Sequence, residues 1–253
     1  MRIFSSLDEM APEVERELYE MGIRGRAETY QDKHVADDEQ YEFKELLGYG
    51  YQLVGFDGSL EMFKFFGLDP MVVVAYCEDE LSARFASISK RHRVAVAEDS
   101  RFHNPGLAWA HRPEVWDPLL EANGKFSYTY SGRIMGRFED VVAELRARPH
   151  TRQAVVQIYL QHIDQPRWGG QRRIPCSMHY QFLLRDVGGH QGLVGIYVMR
   201  SCDLYTHFPL DVWLAVKTFQ KIAWRLNVPL HSVTHFIGSL HAFRKDWRDR
   251  RIF

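Results

Sequence analysis

Three stretches decide how this chain is read: IPCSMHYQF at 174–182, MRSCDLYTHFPLD at 199–211 and GSLHAF at 238–243. The first sets a thiol, Cys176, after a proline and ahead of an alternating aromatic run, MHYQFLLR at 178–185, that predicts a strand. The second follows a strand-like GLVGIYVM at 192–199 with Arg200, Ser201 and Asp203. Its proline opens the best helical stretch in the chain, 209–227, apolar at Val212, Leu214, Ala215, Phe219, Ile222 and Ala223. The third continues a strand-like SVTHFIG at 232–238 and carries His241.

Outward from these segments the pattern stays mixed. QAVVQIYLQ at 153–161 reads as a strand, and 134–147 as an amphipathic helix stopped by Pro149. Leu7, Met10, Val14, Leu18 and Met21 recur at helical spacing over 8–22, with Ser6 as N-cap and Gly22 as stop. A basic turn, GIRGR, follows at 22–26. FKELLGYGYQLVGF at 43–56 reads as a glycine-interrupted strand, and 70–87 as a helix opened by Pro70. Residues 88–115 are polar, rich in His and Arg, and read as an insertion or long loop. Strands and helices in this order predict an α+β fold around a large mixed sheet, as one domain over 1–253.

Composition narrows the function classes. The chain has 253 residues, 45% hydrophobic and 26% charged, which excludes a mainly disordered protein. With 32 basic against 33 acidic residues it has no global excess for duplex DNA or an anionic membrane. Three cysteines, Cys77, Cys176 and Cys202, without a CxxC pair give neither a disulfide framework nor a thiolate zinc site. No metal, nucleic-acid or membrane partner is expected. The N-terminus lacks a signal-peptide pattern and the apolar run at 71–76 is too short to span a bilayer, so a cytoplasmic location is expected.

The three segments, in this order and with WDPLLEANGKFSYTYSG at 116–132, resemble the thymidylate synthase superfamily. The resemblance covers residues 114–243 and is loose before that. It implies a sheet-to-sheet homodimer and 5,10-methylenetetrahydrofolate as cosubstrate. Cys176 matches the thiolate that adds to C6 of a pyrimidine and turns C5 into a carbon nucleophile. A thiol needs cationic help to ionise, and Arg200 is placed to give it. Arg200 and Ser201 match phosphate ligands. Arg152 matches an arginine lent by the partner subunit, where Gln153 replaces a second one; Arg172 or Arg173 could replace that charge. Arg24 or Arg26 is the candidate N-terminal phosphate arginine. Glu80, in YCEDELSAR at 76–84, matches the glutamate that moves protons at the base, with Glu78 and Glu61 as rivals. Tyr130 matches a tyrosine near C5, Gln181 a glutamine beneath the base and His241 a ribose or water ligand. Asp203 and Trp116 match folate contacts. Read singly, Trp116, Tyr130 and Gln181 are ordinary packing residues, Asn123-Gly124 is a turn, and Cys77 and Cys202 are small buried groups.

Asp211 carries the most information. Uracil-methylating members have asparagine there, a donor and an acceptor that suit uracil O4 and N3–H. A carboxylate accepts from cytosine N4 and shares one proton with N3, and it meets uracil O4 with lone-pair repulsion. The MRSCD and GSLH segments resemble those of dCMP hydroxymethylases, while the arginine-rich basic set and Phe243 resemble a CMP hydroxymethylase type that serves nucleoside antibiotic biosynthesis. Read alone, Asp211 would instead N-cap a helix over 212–226. Two departures stand out: Ser177 replaces a histidine of the methylating enzymes, and Phe243 replaces a tyrosine that binds the sugar 3′-oxygen, which makes ribose conceivable. The chain also ends soon after His241, without the closing tail of the methylases, so water is expected to capture the one-carbon unit. The expected activity is CMP 5-hydroxymethylation, ahead of dCMP hydroxymethylation, a true methylase, or a binding protein of the same fold. A Cys176–His179 hydrolase fits poorly, because strand residues three apart face opposite ways.

Overall fold

A computed structural model describes residues 1–30, 33–56, 60–86, 106–164 and 173–247. The expected insertion therefore lies partly outside the described residues, as does Arg172. The sheet has seven strands in the order β1-β5-β9-β8-β7-β6, with β2 also on β5. Its strands are β1 (Arg2–Phe4), β2 (Ile23–Arg26), β5 (Glu42–Leu53), β6 (Val155–Gln157), β7 (Ser177–Val187), β8 (His190–Asp203) and β9 (Leu230–Phe243); β3 (Thr29–Tyr30) and β4 (Lys33–His34) form a separate ribbon. β8 and β9 run parallel, and β5–β9, β7–β8 and β6–β7 antiparallel. Parallel neighbours need a crossover, which is α8 (Phe208–Leu226).

The helix pattern is close to the expectation. α1 (Leu7–Met21) is capped by the Ser6 hydroxyl and buries Leu7, Met10, Val14 and Leu18. α2 spans Leu60–Phe65, and α3 (Pro70–Arg84) starts at Pro70 behind an Asp69 cap. α4 (Pro113–Trp116) is a short turn, and α7 is another at Gln161–Asp164. Asn227 ends α8 in the left-handed region at φ 57°.

Three expectations need correction. The helix over 134–147 is two helices, α5 (Tyr130–Ile134) and α6 (Arg137–Ala147), because Gly136 takes φ +75° between them. The 153–161 strand pairs over Val155–Gln157 alone. The 192–199 strand is longer than its apolar run, since β8 continues through Arg200–Asp203 on ladder bonds to β9.

The main core lies between the sheet and α8, where Tyr180, Phe182, Tyr197 and Phe219 are almost fully buried. Tyr180 and Tyr197 stack at 4.4 Å, and Phe219 sits 5.0 Å from Phe182. A Cβ on Gly195 would meet the Phe219 ring at 2.5 Å, so this glycine is what lets α8 approach the sheet. The opposite face shows Val194, Ile196 and Val198 half-buried and Phe236 44% exposed.

Candidate active site

Strand register assembles the site. Cys176 stands one residue before β7, and β8 passes it antiparallel, so the Arg200 amide donates to the Cys176 carbonyl at 2.8 Å. β9 is parallel to β8, which sets Ser239 beside Ser201 and His241 beside Asp203. β5 returns antiparallel, with Glu45 opposite His241. α8 begins at the same end, so Asp211 lies in its first turn above these strand ends. His207 occupies the N-cap position and the Asp211 amide already donates to the His207 carbonyl. The capping role for Asp211 is thereby overturned: its carboxyl group lines a cavity instead.

Two adjoining cavities open here. One is walled by Tyr76, Trp109, Trp116, Phe126 and Leu214 around Glu80, Arg84, Tyr130 and Asp211. The other is polar, with Thr29, Tyr30, Glu45, Arg200, Ser239, His241 and Phe243. Cys176, Tyr128, Arg173, Ser201, Asp203 and His207 line both.

Cys176 is half-buried at their junction. Arg200 is anchored by donating from Nε to the Pro175 carbonyl (2.9 Å) and from Nη2 to the Ile174 carbonyl (2.7 Å). Its Nη2 then lies 3.8 Å from the Cys176 sulfur. Burial pushes this thiol up; Arg200 and Arg173 oppose that, while Asp211 and Asp203 add to it. The Cys176 amide donates to the Tyr130 hydroxyl at 3.2 Å, and burial holds that phenol well above its ordinary range, hence neutral.

The first cavity holds buried charge. On α3, Tyr76, Glu80 and Arg84 share one face at four-residue spacing. Arg84 donates from Nε to Glu80 Oε1 (2.8 Å) and from Nη1 to the Tyr180 hydroxyl (3.2 Å), and the two charged side chains are 3% and 12% exposed. Burial works against the Arg84 charge, and Glu80, with Tyr180 and Tyr197, more than restores it. Asp211 accepts from the Cys202 thiol at 3.8 Å. Burial pushes the Asp211 carboxyl up to about 7, against Arg84 and the Cys202 thiol and with Glu80 adding to the rise. This carboxyl group therefore exchanges a proton near neutrality.

A half-buried thiol beside an anchored guanidinium and a titrating carboxyl can support covalent chemistry on a polar ring. The thymidylate synthase family model matches residues 98–250. This chain belongs to the thymidylate synthase family. No match is found among curated proteins. Thymidylate synthase-family enzymes transfer a one-carbon unit from methylenetetrahydrofolate to a pyrimidine and act as homodimers.

A folate fits the residues present. Asp203 is 5% exposed, and its Oδ1 accepts from the Tyr205 and Thr206 amides at 3.1 Å each. Its Oδ2 is buried with no partner among the described residues, as are the indole nitrogens of Trp109 and Trp116. Trp116 stacks on Tyr76 at 5.9 Å and tilts over His207. A flat heterocycle with donor edges would satisfy that carboxylate between those rings. Burial lowers His207 to about 4, against the pull of Asp203, so it is neutral there.

Of the other residues expected from the thymidylate synthase resemblance, Ser201 and His241 line the polar cavity and Trp116 the apolar one. Six lie outside both. Gln181 faces away from the core and donates to the Arg152 carbonyl at 3.0 Å, because Tyr180 and Phe182 on either side of it point inward. Arg152 is exposed before β6. Arg24 and Arg26 are exposed on β2, Arg26 paired with Glu42 at 2.6 Å; the chain just beyond, at Ala27, Thr29 and Tyr30, does line the polar cavity. Glu78 and Glu61 are exposed, Glu61 beside Lys64. Asn123-Gly124 is a turn, with Gly124 at φ +71° and the Asn123 side chain accepting from the Lys125 amide. Ser177 points into the core and bonds the Tyr197 hydroxyl. Phe243 packs edge-on against Tyr30 and Tyr41.

Sequence reading missed Arg84, Tyr76, Tyr128 and Glu45. Arg84 and Tyr76 were legible as the four-residue neighbours of Glu80. Tyr128 alternates with Tyr130; its ring lies 4.9 Å from the Arg133 guanidinium and 4.7 Å from that of Arg173. Glu45 carried no local signal, since only the β5–β9 register brings it to the site. Among the described residues no group of His, Cys, Asp or Glu is arranged to hold a metal, and no helix is long and apolar enough to cross a membrane.

Proposed function

We propose that this family member is a CMP 5-hydroxymethylase, acting as one thymidylate synthase-like domain over residues 1–253. The Cys176 thiolate bonds to C6 of the cytosine, and C5 takes the one-carbon unit of methylenetetrahydrofolate. Water supplies the hydroxyl oxygen, the C5 proton is lost and the thiolate leaves again. Folate departs as tetrahydrofolate, so no hydride is needed.

The observation that carries this reading is Asp211, a carboxyl group where uracil-specific members place a carboxamide, in the same cavity as Cys176 and titrating near 7. Cytosine offers an N4–H₂ donor next to the N3 acceptor. Asp211 accepts from N4 and shares its one proton with N3, which a carboxyl group titrating near neutrality can do. Its ionised form faces uracil O4 with lone pairs only. A site built on one polar pattern rejects the other by roughly 10⁴-fold.

The remaining roles follow the cavity linings. Arg200, Ser201 and Arg173 receive the phosphate dianion. Glu80, held by Arg84, relays protons at the base, and Tyr130 fixes the Cys176 backbone. His241 meets the sugar, while Asp203 and Trp116 hold the folate. The half-exposed apolar face bearing Ile196, Val198 and Phe236 supports a sheet-to-sheet homodimer. Arg152 lies next to Gln181 of that face and outside its own cavities, which supports its being lent to the partner subunit. Water capture is supported by the polar cavity, which meets the apolar one at Cys176.

The test incubates purified protein with methylenetetrahydrofolate and CMP, dCMP or dUMP. Release of the C5 hydrogen is followed and the products are weighed by mass spectrometry. Hydroxymethyl-CMP as the foremost product is expected. A methylated dUMP overturns the reading, and no exchange with any nucleotide leaves a binding protein of this family.

A further inference from the structure

The polar cavity contains a carboxylate that none of the roles above uses. Glu45 projects from β5 opposite His241 on β9 and lines the cavity with Cys176, Arg200 and Phe243. The Ser239 hydroxyl donates to its Oε2 at 2.6 Å and so fixes the side chain. Among the described residues its Oε1 receives no hydrogen bond. We infer that Glu45 is the sugar-reading residue of this site and selects ribonucleotides by accepting from the ribose 2′- and 3′-hydroxyls. The inference rests on the nucleotide reading above and names the sugar it takes.

Charge orients the ligand. A nucleoside monophosphate is anionic at one end, and Glu45 repels that end toward Arg200 and Arg173. The neutral sugar is the part that can lie against a carboxylate. Phe243 is 5% exposed and offers only a ring, with Tyr30 and His241 packed edge-on against it at 5.4 and 5.0 Å. A vicinal ribose diol presents two donors to one carboxylate, the chemistry by which acidic side chains read ribose elsewhere. A 2′-deoxyribose presents one, so one hydrogen bond to the charged carboxylate is lost.

The experiment measures equilibrium binding of CMP and dCMP by calorimetry to wild type, Glu45→Gln and Ser239→Ala, together with C5 hydrogen exchange on both nucleotides. Circular dichroism checks that each variant is folded. Wild type is expected to bind CMP at least about tenfold more tightly than dCMP, the scale of one lost hydrogen bond to a charged group. In Glu45→Gln that ratio is expected to fall toward one. In Ser239→Ala it is expected to fall part of the way, because the carboxylate is intact but no longer held. Equal binding of CMP and dCMP by wild type, with exchange proceeding on both, overturns this inference and leaves the cytosine reading standing. Equal weakening of both nucleotides in Glu45→Gln also overturns it, by making Glu45 structural. Absence of binding to CMP, dCMP and dUMP alike overturns the proposed function and this inference together.

Discussion

The two cavities that meet at Cys176 handle charge in opposite ways. The one beneath α3 and α8 buries Glu80, Arg84 and Asp211 among aromatic rings. The other adds Glu45 and Arg200, which stay partly in water. In the first, burial itself pushes Asp211 up to about 7, with Arg84 opposing the rise and Glu80 adding to it. In the second, Glu45 accepts from Ser239 and Arg200 donates to the Ile174 and Pro175 carbonyls. On the proposed function, proton control belongs to the buried side and recognition of sugar and phosphate to the wet side, with Cys176 between them.

The most damaging break is at the junction. Cys176→Ser is expected to lower C5 exchange by at least about 10⁴-fold, as loss of a covalent nucleophile does, while calorimetry still detects nucleotide binding. If exchange persists, Cys176 does not join the two sides.

Next is Asp211→Asn. The ratio of kcat/KM for cytosine over uracil nucleotides is expected to fall by roughly 10²- to 10⁴-fold. The same variant tests the protonation argument through stability. Asp211 titrates at about 7 in the fold against an ordinary value of 3.8. Between those values the folded chain keeps a proton that the unfolded chain releases, so the wild type loses stability as pH rises through that window. Asparagine has no such loss. Its Tm relative to wild type should therefore climb between pH 4 and pH 8, and a flat difference would refute the burial of this charge.

Arg84→Met sharpens the contrast from the other partner. Removing one member of a buried ion pair costs about 3–5 kcal/mol, on the order of 10 °C in Tm for a chain of this size. Glu80→Gln added to it should recover part of the loss, because the orphaned carboxylate is then gone. The smallest effect is on the exposed side. Arg26→Ala removes a surface pair with Glu42 and should cost under about 1 kcal/mol. A rise in KM for the nucleotide in that variant would put Arg26 at the phosphate.

Much of the second half was legible because its signals are local. Pro209 and Asn227 bracket α8, and the alternating aromatics of 178–185 mark β7, since caps and periodicity act within a few residues. The motif segments around Cys176, Arg200–Asp203 and His241 were likewise readable as strand ends. The 134–147 helix was misread because only the backbone shows that Gly136 turns left-handed. Gln181 was misplaced for a different reason: motif spacing does not say which face of a strand a side chain takes, and a one-residue offset sends it to the other side.

By itself, then, the sequence determined the α+β order of elements, the thiol at 176 that matches the family's nucleophile and the carboxyl group at position 211, all carried by short local segments. Tertiary structure alone decided that Asp211 lines a cavity rather than caps a helix, that Arg84 sits between Glu80 and Tyr180, and that Glu45 faces His241. Each of these depends on register and packing between segments far apart in the chain. A carboxyl group's proton affinity follows from what surrounds it in space, so it is settled only when those segments meet.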